Sequence, residues 1–209
     1  MPHTWDPDVL SPQQALDRLM AGNRRFREGN ASPIAQTFRP ELATEAQRPF
    51  AIVLGCSDSR MPVEIIFDEG SGAIFVVRIA GNVIAPSGVG SIEFAASQFG
   101  TRLVVVLGHT RCGAVTATVK ALQDGQSAES KNIRSITDRI SPHVRHLVER
   151  GPSDRLIPDA VRENVRASVE QLHHASALVE ELVDKGRLAV VGAEYELETG
   201  TVHKLPRDT

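Results

Sequence analysis

Apolar residues recur along this chain with two different periods, and each period predicts a kind of element. Leu16, Leu19, Met20 and Phe26 follow one another at helical spacing behind a start signal, Ser11-Pro12 with Gln14 three residues after the serine. Gly29-Asn30 stops that run. Residues 30–49 carry Pro33, Pro40 and Pro49 and show no period; they predict an extended arm that must lie on its own domain or on a partner subunit. From 50 onward the pattern changes. Segments 50–55, 73–77, 103–108 and 188–191 are short apolar runs rich in Val and Ile, the pattern of strands buried on both faces. Between and after them, 62–67, 90–99, 113–123, 135–149 and 159–185 predict helices, and 195–204 predicts a closing hairpin turned at Thr199-Gly200. Strands alternating with helices give an α/β class: one domain over 1–209, a mainly parallel sheet flanked by helices. The expected division is an N-terminal helix and arm over 1–49 and a core over 50–209, with an antiparallel strand or hairpin at the C-terminus.

Composition narrows the possible partners. The 209 residues hold 23 Lys+Arg against 26 Asp+Glu, a net charge of -3, without a long block of like charge. That offers no surface for tracking phosphates, so nucleic acid is not expected. No apolar run approaches the roughly 20 residues a membrane span needs, and residues 1–10 lack the regions of a signal peptide, so the expected location is cytoplasmic. Two cysteines, Cys56 and Cys112, are too few for a disulfide scaffold. In a reducing compartment such a pair binds metal, reacts, or is merely buried.

Two segments place metal-capable side chains directly beyond a buried strand: Gly55-Cys56-Ser57-Asp58-Ser59-Arg60 and Gly108-His109-Thr110-Arg111-Cys112-Gly113. In a parallel sheet both strands end on one edge, so the segments meet if the strands are neighbours. Two thiolates and one imidazole suit zinc, and three protein ligands leave a fourth position, the mark of a catalytic rather than a structural ion. Water in that position is acidified to roughly neutral pKa and becomes hydroxide. Asp58 can take the fourth position itself. Alternatively Arg60 holds the Asp58 carboxylate in a two-pronged grip, leaving it to accept a proton from the bound water. The same residues thus describe a blocked and an active state, with pH able to bias the choice.

Cys56-x-Asp58-x-Arg60 followed by His109-x-x-Cys112 resembles the β-class carbonic anhydrases. Phe75-Val-Val-Arg78-x-Ala80-Gly81-Asn82 and Ser91-Ile-Glu93-Phe94 fall where that family carries similar segments. The resemblance implies reversible hydration of carbon dioxide to bicarbonate and a proton, by attack of zinc-bound hydroxide. It implies one Zn2+ per chain on Cys56, His109 and Cys112, with Asp58 as an alternating fourth ligand and Asp58–Arg60 as the catalytic dyad. Gln47, Phe75 and Phe94 match pocket positions, Phe94 standing where a tyrosine is common. Arg78 and Tyr195 match two members of a non-catalytic bicarbonate site, whose tryptophan is replaced by Val53, so that site is not expected. The family further implies a homodimer or larger homo-oligomer with the cleft at the subunit interface and the N-terminal helix on the neighbour.

Plainer readings compete with these. Taken singly, each cysteine reads as a core thiol and Asp58–Arg60 as a surface ion pair. His143, His146, His173 and His174 lie on predicted helices, where a solvated face is the usual explanation, and His3 and His203 near the termini carry no role. Gly88-Val-Gly90 lacks the third glycine of a dinucleotide fingerprint and reads as a helix-start turn. Two rivals remain for function: hydrolysis of carbonyl sulfide or carbon disulfide on the same fold, and a metal-free thiol sensor in which Cys56 and Cys112 meet oxidants.

Overall fold

The computed structural model describes residues 10–32, 39–126 and 130–206. Pro33 of the expected arm and His3 lie outside them. Helix α1 (Pro12–Arg27) opens with the expected capping box: the Gln14 N–H donates to Ser11 Oγ, and the Ser11 N–H donates to Gln14 Oε1. Its buried side carries Ala15, Leu16, Leu19, Gly22 and Asn23 and docks on the chain's own core. Gly22 permits a very close approach, since a Cβ there would fall 1.8 Å from the Phe67 carbonyl oxygen. Two arginines fasten the helix beside that contact. Arg18 forks Glu69 while lying 4.0 Å over the Phe50 ring, and Arg25 pairs with the buried Asp68. These contacts pack the buried face of α1 on the chain's own core.

The core follows as β1 (Ala51–Gly55), α2 (Val63–Ile66), β2 (Ile74–Arg78), α3 (Pro86–Gln98), β3 (Leu103–His109) and α4 (Gly113–Gln123). Then come α5 (Lys131–Glu149), α6 (Leu156–Ala175), α7 (Ala177–Asp184), β4 (Ala189–Glu196) and β5 (Thr201–Lys204). The sheet order is β2-β1-β3-β4-β5; the first four strands are parallel and β5 is antiparallel to β4. Alternation along the strands sends Ala51, Val53, Val105 and Leu107 into a core with α1, α2, α4 and α5. Ile52, Leu54, Val104 and Val106 pack on the opposite face under α3 and α7, and α6 contributes to both layers. Since β2 and β3 flank β1 on opposite sides, the chain reverses its winding between β1 and β3. In open parallel sheets the crevice beyond the strand ends at such a reversal is where ligands bind.

Several expectations need correction. Segment 73–77 was expected to be buried on both faces, yet β2 is half-exposed along Phe75–Val77 because it is the edge strand. The helix expected over 90–99 starts at Pro86, where proline at the first turn continues an extended Ala85, and Gly88 sits inside it because a Cβ would meet Ile79 Cδ1 at 2.8 Å. The single helix expected over 159–185 is two helices. Ser176 is extended and its hydroxyl caps α7 by accepting the Val179 N–H, so apolar spacing runs on across a real break. Among the histidines, His146 and His174 are exposed, but His143 is half-buried against Gln171 and His173 is half-buried as well. Among the described residues no helix is long and apolar enough to cross a membrane.

Candidate metal centre

Strand register brings the two ligand-bearing segments together. Gly55 is paired with Leu107, so Cys56 leaves β1 level with Gly108 and beside His109, the last residue of β3. Three residues on, Cys112 ends the connecting turn and stands at the N-terminus of α4. Arg111 makes that turn tight enough by adopting a left-handed φ of 56°. Cys56, His109 and Cys112 are all buried, and one ligand atom from each lies within 4.8 Å of the others.

Their chemistry fits zinc on three observations. The two sulfurs are 4.0 Å apart and not joined in a disulfide; two Zn–S bonds of about 2.3 Å at a tetrahedral angle call for about 3.8 Å. His109 Nδ1 lies 2.9 Å from the Thr110 carbonyl, which can only accept, so the ring proton sits on Nδ1. The other nitrogen, Nε2, is buried without a hydrogen-bond partner, a costly state for a polar atom unless a ligand takes it up. Finally, the two thiols share protons unequally. The hydrogen bond from Cys112, helped by the Gly81 N–H, outweighs burial and pulls Cys56 well below an ordinary thiol; that same bond, burial and the Cys56 charge push Cys112 up. A dication between them removes the obstacle to the second thiolate.

Asp58 overlooks this cluster, with Oδ2 3.8 Å from His109 Nε2. Arg60 grips it with both prongs, Nε to Oδ1 at 2.8 Å and Nη2 to Oδ2 at 2.7 Å, and the Arg60 backbone N–H adds a third bond to Oδ1 at 3.0 Å. The Arg60 guanidinium, against a smaller cost of burial, holds the Asp58 carboxyl far below the usual carboxylate range. The carboxylate is therefore ionised throughout the neutral range, and protonating it is not what would release it from Arg60. Arg78 supports the segment from the next strand by donating to the Cys56 and Asp58 carbonyls at 3.0 and 2.5 Å.

Five of the eight candidate residues thus converge: Cys56, Asp58, Arg60, His109 and Cys112. The other three do not reach this cluster within the chain. Gln47 is exposed and lines a cleft of about 740 Å³ with Arg18, Phe50 and Glu69. Phe75 is paired with Ile52, well back from the ligand edge and on the face opposite Cys56. Phe94 projects from α3, 53% exposed, edge-on to Phe99, and Phe99 in turn touches Phe75. Residues without an expected role also support the centre. Thr110 donates to Glu198 and accepts the Leu197 N–H, tying the ligand turn to the β4–β5 connection, while Glu198 also pairs with Arg111. Gly81 donates its N–H to Cys56 Sγ at 3.3 Å. No periodicity announces these contacts, since they depend on which loops the sheet order makes adjacent.

The family described as carbonic anhydrase matches residues 51–202. A carbonic anhydrase of Mycolicibacterium smegmatis is 39% identical over 193 residues, covering 92% of each chain. Carbonic anhydrase 2 of Mycobacterium tuberculosis is 37% identical over 191 residues, or 91% of each. Among solved structures, the β-carbonic anhydrase CcaA superposes with a TM-score of 0.70 at 25% identity, covering 93% of this chain and 92% of that one. The Coccomyxa β-carbonic anhydrase in complex with acetazolamide gives 0.68 at 26% identity, covering 91% and 86%. On a match that runs from β1 into β5 and through both ligand-bearing turns, the chain belongs to the β-carbonic anhydrase family.

Proposed function

We propose that this chain hydrates carbon dioxide reversibly to bicarbonate and a proton, with one Zn2+ held by Cys56, His109 and Cys112. The observation that carries the reading is the meeting of two unbridged thiols and an unpartnered imidazole nitrogen within 4.8 Å, beneath a carboxylate locked in an arginine fork. Zinc in such a three-ligand set supplies Lewis acidity and lowers the pKa of water at its remaining position.

The chain's own residues do the rest. Both Asp58 oxygens are engaged by Arg60, but Oδ2 accepts only one bond and faces the imidazole, so it retains a lone pair toward the reaction space. With its carboxyl held so low, Asp58 is a poor store for a proton at neutral pH. Its role is to accept a hydrogen bond and orient the nucleophile's lone pair toward carbon, the proton passing on to solvent. The Arg60 fork opposes the alternative in which Asp58 itself takes the fourth position.

The reading includes a homo-oligomer. Among the described residues the outer edge of β2 is unpaired, Phe94 on the adjoining α3 is 53% exposed, and an apolar edge strand invites a partner. Gln47, Phe75 and Phe94 take part as pocket residues only if a second subunit carries them to a neighbouring centre. A cytoplasmic location is part of the same reading, because both thiols must stay reduced to act as ligands.

Zinc analysis with stopped-flow assays tests the proposal. Near-stoichiometric zinc with rapid carbon dioxide hydration is expected. Sulfide release from carbonyl sulfide or carbon disulfide with negligible hydration would overturn the substrate assignment, and a folded, active, metal-free preparation would overturn the metal.

A further inference from the structure

Asn164 is 2% exposed on α6, flanked in the buried stripe by Ala160, Val161 and Val165, with the small Ser168 one turn on. A buried amide in apolar surroundings lowers stability unless it is bonded, so its presence needs a reason. Its Nδ2 donates to the Gly81 carbonyl at 2.8 Å. Gly81 is unusual in its own right. Its φ is +68°, and a Cβ there would meet Ile140 Cδ1 at 2.9 Å and Ala114 Cβ at 3.1 Å, so the position admits no side chain that could hold it in place. The two peptide units flanking its Cα are instead held from outside: the carbonyl side by Asn164, and the N–H side by its bond to Cys56 Sγ at 3.3 Å.

We propose that Asn164 is a positioning residue for the Cys56 ligand: by anchoring the Gly81 carbonyl from α6, it keeps the Gly81 N–H aimed at the Cys56 sulfur and so fixes where that sulfur sits and how much charge it offers a metal. The inference rests on the reading of Cys56 as a zinc ligand. Hydrogen bonds around metal ligands set ligand orientation and donor strength, and removing such a partner typically lowers metal affinity about 10- to 100-fold. Asn164 has the geometry for this at one remove, through a glycine with no rotamer of its own.

The full chain with Asn164→Leu, loaded with zinc or Co2+, tests the proposal. Zinc affinity measured by chelator competition is expected to fall about tenfold or more. The sulfur-to-Co2+ charge-transfer band is expected to move to longer wavelength, because a sulfur that loses an N–H donor releases electrons more readily. Leu172→Ala, a buried cavity variant farther along α6, controls for packing: it should lower the melting temperature and leave the band in place. If Asn164→Leu does not fold, Asn164→Ser, too short to span to Gly81, carries the same expectation. A folded variant with unchanged band and affinity overturns the role of Asn164, while a wild-type chain that takes up no zinc overturns the metal reading itself.

Discussion

The two edges of β1 make an instructive pair. On the β3 side, strand ends deliver Cys56 and His109 to one point, and the short turn to Cys112 completes the cluster within a single chain, every member buried. On the β2 side, Phe94 stands 53% exposed against Phe99, Phe75 packs in the layer under α3, and Gln47 lines a separate cleft with Arg18, Phe50 and Glu69, so none of the three reaches the cluster. The first edge is completed by topology within one chain, whereas the second is an edge strand that, under the proposed oligomer, a second copy would cover. A metal centre needs ligand atoms placed to a fraction of an ångström, which neighbouring strands of one sheet provide. A pocket wall for a small apolar gas tolerates assembly from two bodies.

The contrast can be broken by substitution on either side. The largest effect belongs to Cys112→Ser, expected to lose zinc by elemental analysis and to reduce hydration by more than about a thousandfold. Next comes Arg60→Ala, expected to keep zinc and slow turnover about a hundredfold, because Asp58 loses the fork that aims it. Asp58→Asn should slow stopped-flow hydration by about tenfold or more while removing any state in which a carboxylate blocks the ion. Full activity in both variants would exclude the dyad from catalysis.

On the outer edge, Phe94→Glu should shift the chain toward monomer in analytical ultracentrifugation and lower turnover about tenfold at unchanged zinc content. A monomer retaining full activity would show that no neighbour completes the pocket. Asn23→Ala probes a third region. The Asn23 side chain donates to the Ile66 and Gly200 carbonyls and accepts the Val202 N–H, and its loss should lower stability by about 2–3 kcal/mol in denaturant titration without displacing zinc. The smallest effect is expected for Phe94→Tyr, which adds one hydroxyl at a half-exposed ring and should change KM by about threefold or less.

Much of this arrangement was legible before any fold was known. Buried strands followed by C-x-D-x-R and H-x-x-C specify the edge where Cys56, His109 and Cys112 meet, because the sheet turns sequence order into spatial adjacency. The α1 start at Ser11-Pro12 was legible for the same kind of reason, since a capping box is a local device. What escaped depends on distant partners. Ser176 breaks a helix inside a continuous apolar stripe, β2 is an edge only because of strand order, and Thr110, Glu198 and Asn164 gain their roles from loops far off in sequence. Asn164 did leave one trace, a polar residue at a core position of α6.

Zinc K-edge absorption on the purified wild-type chain measures the central claim most directly. One zinc per chain is expected, with two sulfurs at about 2.3 Å, one imidazole nitrogen near 2.0 Å and one further light atom. A first shell without sulfur, or with a single sulfur, would contradict the assignment of Cys56 and Cys112 to a common ion.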